Sequence, residues 1–271
     1  MDLWQIIVAL IQGLVEWLPI SSEGQVVLFV SNFTPVSPQE ILSLSIWLHL
    51  GTALAVVVRY PRTILDLLSL KDRVLFRRLL LATLATAVTA VPLYFFLKDS
   101  LGANLGELLN AVVGFLLLVT ALMLYLPSRR QGEEDPEIPE HKPSDKESVT
   151  TGLAQGLSVL PGLSRSGLTV SALLLQRVEK ETAFRFSFLM SVPAVLAVLV
   201  LEILTGASLP ASVTVLDLAI MEAVVFVVGL ASMEFLLRLA RSISFWKLCL
   251  VLAVVAIAFG LPALISLVLG V

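Results

Sequence analysis

The chain has 271 residues, 58 % of them apolar and only 14 % charged, with a net charge of −3 and a mean hydropathy of +0.96. A soluble domain carries about 25 % charged residues, so an ordinary globular domain is excluded, and the unbroken apolar runs exclude the alternating strands of a membrane barrel. What remains is an all-α, polytopic membrane protein. Its one cysteine, Cys249, lies in an apolar run, which excludes a disulfide framework and a thiolate metal site and reads as a buried, inert thiol.

In chain order, the first apolar stretch covers 3–31 and is split by "PISSEGQ" at 19–25. It starts "MDLW", without a basic leader, and contains Gln12 and Glu16, so it does not read as a cleaved signal peptide. Three segments long enough to span follow, at 41–58, 78–97 and 107–126. A polar stretch rich in Pro and acids, 127–148, reads as a surface linker in which His141 is solvated. A second split apolar stretch, 150–176, carries "PGLSRSG" at 161–167, and three more spans follow at 183–204, 213–237 and 246–269. The halves of each split stretch are too short to cross a bilayer and suit re-entrant hairpins.

The two sides of the linker resemble each other. "QGLVEWLPISSEG" and "QGLSVLPGLSRSG" open alike, and Gln12, Gly13, Leu14, Ser21, Gly24 and Val27 recur at one fixed offset as Gln155, Gly156, Leu157, Ser164, Gly167 and Val170. This pattern predicts a duplication: residues 1–126 form one repeat, 127–148 a cytoplasmic linker and 149–271 a second repeat. Three spans per repeat is an odd number, so the repeats lie inverted in the membrane. Interrupted helices at matching positions of inverted halves point to a binding site near the midplane. With this span count, all of the 18 Lys and Arg residues except Lys98 and Arg165 fall on one face. The positive-inside rule makes that face cytoplasmic, with both termini outside.

The breaks carry the chemistry. Glu16 lies one helical turn from Gln12, and an acid at membrane depth costs ~2.5–3.5 kcal/mol unless it faces a cavity or a partner. Arg165, between Ser164 and Ser166 and closed by Gly167, is shaped for phosphate. A guanidinium binds phosphate oxygens bidentately, while serine hydroxyls and glycine-turn amides add donors. Ser21, Ser22 and Gly24 offer the same geometry in the first break, where one serine also suits helix capping. Such a pair of loops suits an anionic headgroup whose tail stays in lipid. Cleaving a diphosphate further needs charge compensation, from Arg165 or from a divalent cation on Glu16 and Glu23; alternatively one of these acids serves as general base.

At these residues the sequence resembles the undecaprenyl-diphosphatase family of bacitracin-resistance membrane phosphatases. Its motifs read approximately Glu-Gly-x-Thr-Glu-Phe-Leu-Pro-Val-Ser-Ser-Thr-Gly-His and Pro-Gly-Thr-Ser-Arg-Ser-Gly, against "QGLVEWLPISSEGQ" and "PGLSRSG" here. Weaker resemblance runs through "LHLGTALAVVVRYP", "FRFSFLMSVPAVLA" and "LLRLARSISFWKLCLV". The resemblance implies hydrolysis of a long-chain polyprenyl diphosphate to the monophosphate, recycling the carrier lipid of cell-envelope synthesis. It also implies an outward-facing site in the cell membrane and a divalent cation, Mg²⁺ or Ca²⁺. Glu16, Glu23, Ser22 and Arg165 are the expected catalytic residues, with Glu16 and Glu23 as metal ligands. Gln12, Ser21, Gly24, Gln25, Ser164, Ser166 and Gly167 are expected to bind substrate. Four positions depart from the pattern: Gln12 replaces a glutamate, Val15 and Glu23 replace threonines, and Gln25 replaces a histidine to which a catalytic role is attributed. Glutamine cannot carry a proton near neutral pH, so Glu23 is the expected replacement base or metal ligand.

The expected partners are the lipid diphosphate and the bilayer, with no nucleic acid and a homo-oligomer admitted. Two other classes fit the same features: a flippase for polyprenyl phosphate, and a relative that binds the lipid without cleaving it. His49 is expected to pack inside the first span, Glu222 to be the best buried partner for Arg165, and the four tryptophans to sit mostly in interfacial belts.

Overall fold

The computed structural model describes residues 1–269 except 35, 37, 101–108, 131–141, 207–208, 210–211 and 240–244. Among the described residues all regular structure is helical: α1 (Leu3–Val15), α2 (Ser22–Phe33), α3 (Pro38–Arg59), α4 (Pro61–Leu68), α5 (Arg73–Ser100), α6 (Leu109–Arg130), α7 (Asp145–Gly156), α8 (Arg165–Leu175), α9 (Lys180–Leu204), α10 (Val215–Leu239) and α11 (Phe245–Leu269), with a 3₁₀ turn at 157–159. The surface is apolar as well as the core. Leu84, Val88 and Phe96 of α5 and Val227 and Phe235 of α10 all stand exposed, a surface suited to lipid rather than water. The chain is an all-helical, multi-pass membrane protein.

Each of the six segments expected to span lies largely within one helix: α3, α5, α6, α9, α10 or α11. Among the described residues three helical stretches, Arg73–Leu97, Lys180–Leu204 and Val215–Phe235, have both the length and the hydropathy of a span. A fourth is the bent pair Ser43–Arg59 and Pro61–Leu68, which turns by 92°. Helix α4 within that pair was not expected. Pro61 opens it, and it buries no residue and exposes Leu65 and Leu68. The polar linker also ends earlier than expected. Ser144 and Glu147 cap each other's backbone amides, so α7 begins at Asp145. Lys142 reaches Asp72 at 3.1 Å and Arg77 reaches Asp145 at 2.8 Å, tying this end of the linker to the start of α5. His141 and Arg241 lie outside the described residues, as do the side chains of Lys98, Arg129, Arg130 and Arg238.

Packing follows a pattern. Helix α1 lies on α10 and α7 on α5, α3 lies on α10 and α5 on α9, and the pairs α1–α2, α7–α8, α2–α3 and α8–α9 are in contact. Helix α6 also packs along α11, and α3 along α9. The glycines that follow Gln12 and Gln155 both sit at close helix crossings. A Cβ on Gly13 would stand 2.9 Å from the Cβ of Val228 on α10, and one on Gly156 would overlap Thr89 on α5. Trp17 is in the core and not at an interface: it is 1 % exposed, its indole N–H donates to the Gly229 carbonyl at 2.7 Å, and its ring meets Phe188 edge-on. Cys249 is buried, with its sulfur 2.9 Å from the Pro19 carbonyl oxygen.

Candidate functional site

The two polar breaks meet. Helix α1 ends at Val15, just before the Leu18–Pro19 turn, and α2 restarts at Ser22 under an N-cap from Ser21, whose hydroxyl accepts the Gly24 amide at 3.2 Å. Across from it, α8 starts at Arg165 under an N-cap from Ser164, whose hydroxyl accepts the Gly167 amide at 3.1 Å. The recurring serines and glycines thus do the same local job in both breaks. Ser21 also accepts the Gly162 amide at 3.2 Å, and Ser166 donates to the Leu18 carbonyl at 3.0 Å, so the turns are stitched directly together. This joins a carboxylate from one break to a guanidinium from the other.

Glu16 is the hub, and its side chain is 2 % exposed. One oxygen, Oε1, pairs with Nη2 of Arg165. The other, Oε2, accepts from Ser22 Oγ at 2.6 Å and from Gln12 Nε2 at 2.9 Å. His49, reaching in from α3, brings its Nε2 to 3.4 Å from the same Oε2. Nε and Nη1 of Arg165 are buried without a hydrogen-bond partner among the described residues. A buried guanidinium with two idle nitrogens is primed for an anion.

A polar cavity of about 20 Å³ is lined by Glu16, Ser21, Ser22, Glu23, Ser164 and Arg165, together with His49 and Leu163. It has room for a water molecule and not for a diphosphate. Next to it lies an apolar cavity of about 320 Å³, walled mainly by α5 and α9 through residues such as Ala87, Ala90, Tyr94, Ala194 and Leu201. Glu23, His49 and Arg165 line both cavities, so the apolar space opens onto the polar head of the site. Its volume lies in the range of small-molecule sites.

The expected residues divide accordingly. Glu16, Ser21, Ser22, Glu23, Ser164 and Arg165 line the polar cavity. Gln12 stands behind Glu16 and orients it. Gly24, Ser166 and Gly167 hold the turns and line neither cavity. Gln25 turns back to donate to the Ile20 carbonyl at 3.2 Å and also lines neither cavity. The expected partnership of Glu222 with Arg165 is corrected. Arg165 takes Glu16, while the Glu222 carboxylate packs against Gly51 of α3. His49 was expected only to pack, and it stands in the site.

Glu16 and Glu23 both line the polar cavity, in different surroundings. Oε1 of Glu16 is engaged by Arg165 and Oε2 by Ser22 and Gln12, with His49 Nε2 nearby. Among the described residues no group of three or more His, Cys, Asp or Glu is placed to hold a metal. Glu23 is different, because its carboxylate makes no hydrogen bond or ion pair among the described residues.

Comparison with known proteins places this geometry in a lineage. The chain is 40 % identical to an undecaprenyl-diphosphatase of Methanothrix thermoacetophila over 253 residues, covering 93 % of this chain and 94 % of that protein. It is 37 % identical to an undecaprenyl-diphosphatase of Methanopyrus kandleri over 271 residues, covering 97 % of each. It is 39 % identical to one of Haloarcula marismortui, over 94 % of this chain and 96 % of that protein. The family described as bacitracin resistance protein BacA matches residues 5–258, and the chain belongs to that family.

Proposed function

We propose that the chain hydrolyses the terminal phosphoanhydride of a long-chain, undecaprenyl-type diphosphate, releasing the lipid monophosphate and inorganic phosphate and so recycling the carrier lipid of envelope synthesis. One observation carries this reading: a buried Glu16–Arg165 head with two idle guanidinium nitrogens opens onto an apolar cavity large enough for the first isoprene units. The names of the relatives support the same chemistry.

In this reading Nε and Nη1 of Arg165 bind the terminal phosphate. Fixed donors aimed at developing phosphoryl charge are the largest single source of catalysis in such sites. Ser22, already donating to Glu16 at 2.6 Å, is the nucleophile and Glu16 its base. The Ser22 oxygen bonds to the terminal phosphorus as the bond to the bridging oxygen breaks, and the electron pair leaves with the lipid monophosphate. Water then attacks the phosphoserine and releases phosphate. Glu23, which lines the polar cavity and makes no hydrogen bond or ion pair among the described residues, is proposed as the contact for a divalent cation arriving with the phosphates, since Mg²⁺ is commonly held by one or two carboxylates plus substrate oxygens. That cation supplies further charge neutralisation when bound.

Two inverted halves, each a re-entrant pair followed by three spans, complete the proposal. Exchanging α1, α2, α3, α5 and α6 for α7, α8, α9, α10 and α11 turns α1–α10 into α7–α5 and α3–α10 into α9–α5, which supports the internal duplication. The proposed orientation puts both termini outside the cell membrane and the basic ends of α3, α5 and α7 inside, with α4 along the inner interface. The same exchange suits a flippase, so the test carries two arms. Purified protein is given undecaprenyl diphosphate and assayed for phosphate, and reconstituted vesicles are assayed for flipping of the monophosphate. Flipping without phosphate release would overturn the hydrolase reading, and neither activity would leave a binder.

A further inference from the structure

His49 lies in the continuous apolar run of α3, yet both of its ring nitrogens are committed to directions that matter. Nδ1 stands 2.6 Å from the backbone carbonyl oxygen of Ser45. A carbonyl only accepts, so Nδ1 carries a proton, and Nε2 is the ring nitrogen turned to Glu16. That Nε2 points at Glu16 Oε2 from 3.4 Å, beyond the length of a formed N–H···O bond. The same Oε2 accepts the Ser22 hydroxyl at 2.6 Å. Ser22 and His49 thus meet at one oxygen of Glu16, where a proton arriving from the serine has a ring nitrogen 3.4 Å away. Charged groups around the ring come from four elements: Glu16 of α1, Glu23 of α2, Arg165 of α8 and, beside Gly51 two residues along α3, Glu222 of α10.

We propose that His49 is the proton carrier of this site, acting on Ser22 through Glu16; the proposal rests on the hydrolase reading given above. In the first half-reaction the Ser22 proton passes to Glu16 and on to His49 Nε2, while the serine oxygen bonds to phosphorus. The bond from phosphorus to the bridging oxygen breaks, and the imidazolium returns that proton to the departing lipid phosphate. In the second half-reaction attacking water gives one proton to His49, the serine–phosphorus bond breaks, and the Ser22 oxygen recovers the proton. Protons and electron pairs balance without an added reagent. His49 also lines the apolar cavity, so it stands where the bridging oxygen of a lipid seated there meets the polar head.

The test uses full-length protein in detergent with undecaprenyl diphosphate. His49→Gln keeps a polar side chain of similar reach but carries no proton, and is expected to lose at least ~100-fold in kcat with KM within about threefold, the split that separates proton transfer from substrate binding. His49→Ala is expected to regain part of its rate when free imidazole is added, whereas a structural role gives no such rescue. Thermal melting of both variants reports folding independently of activity. Wild-type kcat in His49→Gln, or a loss confined to KM, would overturn the proposal, as would the absence of imidazole rescue in a folded His49→Ala. An inactive wild type would instead overturn the hydrolase reading itself.

Discussion

Replacing Glu16 with glutamine is expected to damage stability and catalysis together, whereas replacing Arg165 damages mainly catalysis. The asymmetry comes from how the pair is held. Arg165, with its side chain 14 % exposed, has Glu16 as its partner and two further buried nitrogens idle. Losing the carboxylate strands that guanidinium, and breaking a buried pair by removing one member costs about 3–5 kcal/mol. Losing Arg165 instead leaves Glu16 with the Ser22 and Gln12 hydrogen bonds. Hydrogen bonds to a charged group are worth about 1.5–3 kcal/mol each, so they offset much of the loss. Thermal melting in detergent is expected to fall by on the order of 10 °C in Glu16→Gln, and by clearly less in Arg165→Gln. Phosphate release is expected to fall at least ~100-fold in both, through the base in one and through phosphate binding in the other. An Arg165→Gln protein that melts at or below Glu16→Gln would refute this account of the pair. Wild-type turnover in Glu16→Gln would refute its role.

Three further outcomes follow from other parts of the molecule. A Cβ on Gly152 would stand 2.2 Å from the Ala82 carbonyl oxygen, a backbone atom that cannot swing aside. Gly152→Ala should therefore push α7 off α5 and lower stability by about 1–3 kcal/mol, read as a reduced melting temperature. Ala194→Trp should fill the apolar cavity and raise KM for undecaprenyl diphosphate more than tenfold, with little effect on a short-chain prenyl diphosphate. Equal effects on both substrates would remove that cavity as the tail site. Because Arg165, Ser22 and Gln12 engage both oxygens of Glu16 and no described group of three or more His, Cys, Asp or Glu is placed to hold a metal, adding millimolar Mg²⁺ or EDTA should leave the melting temperature of the substrate-free protein unchanged; a resident site would shift it by mass action.

Much of the site was legible in the sequence because polarity inside a membrane-grade run is costly and therefore conspicuous. Glu16, Ser21, Ser22, Ser164 and Arg165 stood out on that ground and line one cavity. The recurring Ser and Gly were legible as turn chemistry, and each pair caps its helix in the same way. His49 was not legible as a site residue, since it interrupts no run and only the placement of α3 beside α1 and α2 turns it toward Glu16. The contact that fixes the ring is the backbone carbonyl of Ser45, one helical turn earlier, which any residue there would supply. The choice between Glu222 and Glu16 as partner of Arg165 was equally a tertiary matter. Both are acids in apolar helices, and sequence spacing says nothing about which one meets α8. Trp17 misled for a related reason: an amphipathic ring suits an interface on composition, but the Gly229 carbonyl satisfies its N–H in the core.

The most direct test is phosphate release from undecaprenyl diphosphate by the purified chain in detergent with Mg²⁺, wild type against Arg165→Ala. The account predicts one phosphate per lipid and a monophosphate product from the wild type, with at least ~100-fold less from Arg165→Ala. No release above a protein-free control, or equal release by the two proteins, would contradict it.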